Sequence, residues 1–127
     1  MAHLARQWLK RLFSEVVPRV PARLAHRLAG SFCPIFMLHR LSPEGDAHAQ
    51  SAAHVERCLQ YMRKHRYTPM ALADLARVLH EGLPLPERSV VFTIDDGFKD
   101  QFECVGPLFA RYEAPLTCFV ITGFLDG

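Results

Sequence analysis

Ser89-Val90-Val91-Phe92-Thr93-Ile94-Asp95-Asp96-Gly97 is the stretch on which the reading of the fold turns. Val90 to Ile94 is a run of β-branched and aromatic residues, the composition of a strand buried on both faces in a parallel sheet. The run ends in two carboxylates and a glycine, which places charge at the carboxyl end of a buried strand. Open and closed α/β folds put their chemistry at that end.

Asp-Gly is also a common type I′ hairpin turn, and a hairpin would need an alternating return strand after Gly97. The following residues argue for a helix instead. Phe98, Phe102, Val105, Phe109 and Tyr112 recur at helical spacing. Glu113-Ala114-Pro115 breaks that helix near residue 112, and Leu116 to Ile121 reads as a second buried strand. The order predicts a βαβ unit with a right-handed crossover. Pro107 is expected to kink or divide the helix, because its ring clashes with the carbonyl of Glu103.

Working back from the central strand, Leu83 to Arg88 is a proline-bearing linker. Leu72, Leu75, Val78 and Leu79 form the apolar face of a helix over 72–80, with Gly82 as its terminator. Tyr67 to Met70 is a short extended piece. Val55, Cys58, Leu59 and Met62 line a helix over 52–65, with Ser51 as candidate N-cap. Ser42 to Gln50 is polar and carries Pro43 and Gly45, so it reads as a loop. Ile35 to Leu38 is a third buried strand, with His39 at its carboxyl end. If the strands are parallel, His39 shares that end with Asp95 and Asp96. The fold class is α/β, with parallel strands near 35–38, 90–94 and 116–121.

At 127 residues and 50% hydrophobic, the chain can build one core of ordinary size. Its charge of +2 is unevenly spread. Residues 1–30 carry six basic residues (Arg6, Lys10, Arg11, Arg19, Arg23 and Arg27) against Glu15, a net +5, and the rest carries a net −3. Leu4, Trp8, Leu9, Leu12, Phe13 and Val16 make an apolar stripe in the same arm, which Pro18 and Pro21 end. Such a basic amphipathic helix lies on an anionic membrane surface or packs on the body with its basic face solvated. No aromatic platform or base-reading motif points to nucleic acid. The division expected is an arm over 1–30 and a domain over 31–127.

Cys33, Cys58, Cys104 and Cys118 lack C-x-x-C spacing and read as reduced core residues rather than a disulfide frame or zinc site. No apolar run reaches membrane-spanning length, and the arm lacks the pattern of a secretory signal. The expected setting is cytoplasmic, with the arm available to the inner face of the membrane. His3, His26, His48, His54, His65 and His80 fall in helices or loops and read as surface residues.

Phe92-Thr93-Ile94-Asp95-Asp96-Gly97-Phe98 resembles the T-F-D-D-G-Y signature of the polysaccharide deacetylases, carbohydrate esterases with a NodB-homology domain. Ile35-Phe36-Met37-Leu38-His39-Arg40 resembles that family's opening strand, and Pro115-Leu116-Thr117-Cys118-Phe119-Val120 is similar to the strand that follows the signature. The match covers residues 33 to 127. Ile94 and Phe98 depart from the usual Phe and Tyr, and Leu38 stands where Tyr is frequent.

The resemblance implies the first half of a (β/α)-barrel-like deacetylase domain. It further implies hydrolysis of the acetamide C–N bond on an N-acetylated sugar polymer or oligosaccharide. The cofactor implied is a divalent metal, with zinc, cobalt or nickel as candidates. By the same resemblance Asp95 is the general base and Asp96 a metal ligand, while the place of His39 at a strand end makes it a candidate to line the site. The family's H-[ST]-x-x-H metal motif has no counterpart in the chain. An amino-terminal fragment, inactive alone, is therefore the expectation. The other reading is a non-catalytic remnant with a membrane-binding basic helix. From the residues alone, Asp96 also fits a helix cap, and His39 a ring held by a core hydrogen bond.

Overall fold

The structure, a computed structural model, describes residues 32–42 and 50–124. The chain divides into two units, Met1–Phe32 and Cys33–Gly127, and the elements below belong to the second. The basic arm over 1–30, with His3 and His26, lies outside the described residues, as do residues 43–49 with His48.

Among the described residues, six strands and three α-helices follow in order. They are β1 (Ile35–Leu38), β2 (Leu41–Ser42), β3 (Gln50–Ser51), α1 (Ala52–Lys64), β4 (Thr68–Pro69), α2 (Leu72–His80) and β5 (Ser89–Asp96). A π-helical segment (Gln101–Val105) then leads into α3 (Gly106–Arg111) and β6 (Thr117–Val120). β5 is the hub of a four-stranded parallel sheet. β1 pairs along it from Ile35↔Val91 to Leu38↔Ile94, and β6 from Thr93↔Thr117 to Asp96↔Val120. Both pair with Thr93 and Ile94, so they flank β5 on opposite sides. β4 pairs with its amino end at Ser89 and Val90. The segment read as a loop begins and ends in a second, two-residue parallel pair, β2 with β3.

Ser89 to Ile94 are all buried, as the apolar run predicts. Val90, Phe92 and Ile94 alternate onto one face of the sheet. There they join a core with Val55 and Leu59 of α1, and Leu108 and Phe109 of α3. The Phe109 ring meets Phe92 edge-on at 5.1 Å between centroids. α2 ends as its glycine predicts. Gly82 adopts φ 63°, and Leu83 N–H bonds the Val78 carbonyl at 2.9 Å, closing a Schellman turn. Ser51 does sit at the N-cap of α1, but its hydroxyl makes no capping bond.

Three expectations need correction. β1 and β6 are not buried strands: Met37 is 70% exposed and Phe119 51%. Each has a strand on one side only among the described residues, so its outer edge and much of its surface stay open. The cysteines are free, as expected, but none is in the core. Cys118 is exposed on outer strand β6, and the other three are half-buried.

The apolar stripe after Gly97 is also displaced. Phe102 is 84% exposed, and the inward positions are Gln101, Val105, Leu108 and Phe109. The cause is the π-segment. Gly106 N–H reaches back five residues to the Gln101 carbonyl, and this wider turn shifts the phase of the helix. The helix thus changes type just before Pro107, which stands in the first turn of α3. There its missing N–H has little cost.

Candidate functional site

The site forms where two parallel strands end side by side. β5 ends at Asp96 and β1 at Leu38, one residue before His39. Asp95 extends the alternation of Val91 and Thr93 along one face of the sheet. Asp96 breaks it, because its φ of 79° is left-handed. Gly97 follows with φ 77°. Two successive positive values are the sign pattern of a type I′ turn, yet the chain runs on into helix at residues 99 and 100 rather than into a return strand. Gly97 is required twice over, since a Cβ there would lie 2.9 Å from Val120 Cγ1 of β6.

The turn brings Asp96 to the end of β1. Asp96 Oδ2 stands 3.4 Å from His39 Nδ1, and the imidazole is 63% exposed. That separation is longer than the ~2.7–2.9 Å of a charge-assisted hydrogen bond. Both atoms would be available as donors to one divalent ion. Carboxylate oxygen and imidazole nitrogen are also donor types that zinc accepts. Among the described residues no group of three or more His, Cys, Asp and Glu is placed to hold a metal, so the fit extends to two donors. Among the same residues, no hydrogen bond or ion pair reaches the Asp95 carboxylate.

Two residues that sequence reasoning passed over tie the strand ends together. Arg40 places its guanidinium 3.4 Å from Asp100 Oδ2 and 5.3 Å from the Phe98 ring centroid. Gln101 is 4% exposed and bonds the backbone of both strand ends. A signal for Gln101 was present: with Val105 and Phe109 it falls at i, i+4 and i+8, on the inward phase of the helix. His54 and His80 are exposed and His65 is half-buried.

No family model matches the chain. Over 66 residues, 52% of its length, the chain is 29% identical to the poly-beta-1,6-N-acetyl-D-glucosamine N-deacetylase of Escherichia coli. The match spans only 10% of that relative. Among solved structures, the Streptococcus pyogenes deacetylase PplD, in complex with acetate, superposes with a TM-score of 0.64 at 28% identity. That superposition covers 74% of this chain and 44% of the other. A de-N-acetylase from Aggregatibacter actinomycetemcomitans gives the same TM-score at 17% identity, over 73% of this chain and 38% of the other, and speaks for the fold alone. The parallel α/β architecture therefore corresponds to part of a (β/α)-barrel domain. The sequence match and the solved relatives point the same way: over the part they cover, the chain is similar to part of a polysaccharide deacetylase domain.

Proposed function

We propose that the complete domain hydrolyses the acetamide of an N-acetylated sugar polymer with the help of a divalent metal. One observation carries the reading: adjacent carboxylates end the central parallel strand, and the second faces an imidazole nitrogen at 3.4 Å. The names of the relatives, which are N-deacetylases, support it.

Asp96 would hold the metal, with His39 beside it. Zinc suits an oxygen and nitrogen donor pair, and cobalt or nickel is an alternative. When bound, the metal supplies Lewis acidity to a water and to the acetamide carbonyl. Asp95 would accept the proton of the attacking water. Asp96→Ala in the complete protein is expected to lose metal affinity, measured by calorimetric titration. Asp95→Asn is expected to retain the metal and lose acetate release, because an amide cannot take the proton. Equal loss of metal in both variants would overturn this division of roles.

The 127-residue chain alone is expected to release no acetate, since its described residues offer two donors where a catalytic zinc site uses about three. Tight one-to-one zinc binding with acetate release by this chain would refute that. The arm over 1–30, with its net +5 and apolar stripe, is proposed to lie on an anionic membrane surface from the cytoplasmic side. Salt-sensitive co-sedimentation with phosphatidylserine vesicles is expected, and binding no better than to neutral vesicles would refute it. Within the described residues no helix is long and apolar enough to cross a membrane.

A further inference from the structure

We propose that Gln101 is a positioning residue that holds Asp96 in its working conformation. The inference rests on the reading of Asp96 as the metal-holding carboxylate. Gln101 Nε2 donates to the Asp95 carbonyl at 2.6 Å and to the His39 carbonyl at 2.5 Å, while Gly97 N–H donates to Oε1 at 3.1 Å. These three bonds fix the amide's orientation without ambiguity. Reversed, it would set its oxygen against two carbonyl oxygens and its NH2 against an N–H donor.

What those bonds grip is specific. The Asp95 carbonyl belongs to the peptide group before Asp96, and the Gly97 N–H to the peptide group after it. Gln101 therefore clamps both peptide groups that set the φ and ψ of Asp96. The residue clamped is the one with φ 79°, a conformation seldom adopted by residues with a Cβ. The third bond ties that turn to the peptide group after His39, across the two strand ends. One buried side chain thus sets the turn that aims Asp96 and links it to the backbone carrying its imidazole neighbour.

The backbone of Gln101 is committed as well. Its N–H donates to the Phe98 carbonyl at 3.0 Å, and its carbonyl accepts the first bond of the π-turn from Gly106. The side chain is held from below by a segment with little freedom to move. At 4% exposure, water cannot readily replace the three bonds if the amide is removed.

The test is Gln101→Met in the complete protein, which keeps the reach of the side chain and removes its donors and acceptor. In its crystal structure Asp96 is expected to leave the left-handed region, with the His39–Asp96 separation opening by more than about 1 Å. For acetate release, kcat is expected to fall by about tenfold to a hundredfold, with KM within about twofold of the unaltered protein. An Asp96 still left-handed and still near His39 overturns the assignment, as does an opened site with unchanged kcat. If the unaltered protein releases no acetate, the deacetylase reading fails, and the geometry of the variant alone decides for Gln101. If Gln101→Met does not fold, Gln101→Asn serves, with donors one methylene short. It is then expected to open the separation less, and an unchanged site overturns the proposal.

Discussion

β5 and β1 are apolar strands of similar composition with opposite fates. Val90 and Val91 are 0% exposed, whereas Ile35 is 51% and Met37 70% exposed. Each is paired in register with the other, so their difference does not lie in pairing as such. β5 has strands on both sides and helices α1 and α3 packed over Val90, Phe92 and Ile94. β1 has one neighbour among the described residues and sends only Leu38 into the core. Apolar composition makes a strand, and the number of neighbours makes it a core.

Urea denaturation breaks or sharpens that contrast. Ile94→Asp places an unpaired charge at a 1% exposed position. It is expected to cost about 4–5 kcal/mol, while Met37→Asp stays within about 0.5 kcal/mol. A Met37→Asp loss approaching that of Ile94→Asp would mean that β1 is covered after all. The helix after Gly97 holds a second contrast of the same kind. Phe109→Ala, at 2% exposure, is expected to cost about 3–4 kcal/mol, and Phe102→Ala under about 0.5 kcal/mol. Similar losses for both phenylalanines would contradict the phase set by the π-segment.

Smaller effects separate the strand ends from the strand bodies. Gly97→Ala is expected to lose about 1–2 kcal/mol, from a Cβ forced into a left-handed φ, and to push Val120 aside. No change in the urea midpoint would show that this turn relaxes freely. Arg40→Ala removes a half-exposed pair with Asp100 and the contact with Phe98, for under about 1 kcal/mol. A larger loss would give the ends of β1 and β5 a share in stability comparable to the core.

The order of elements was legible because it rests on local rules. β-branched residues run together from Val90 to Ile94, apolar residues recur at helical spacing in α1 and α2, and Gly82 ends α2 in a left-handed turn. The pairing of Asp95 and Asp96 with a strand end was legible for the same reason: an apolar run that stops abruptly in charge is visible along the chain. The place of His39 followed from one further inference, that strands joined through helices run parallel.

Tertiary structure alone decided the rest. Whether Ile35, Met37 and Phe119 are covered depends on what packs beside them, and neighbours distant in sequence leave no mark on a local pattern. The four cysteines and Phe102 were misjudged on the same ground, since an apolar side chain goes inside only where the fold has an inside to offer. Gln101 shows the converse. As a polar residue in a run of phenylalanines it resembles a solvated position. It is buried on the same phase as Val105 and Phe109, and three backbone groups at two strand ends satisfy its amide. Those groups come from residues 39, 95 and 97, and they converge only once the sheet has formed.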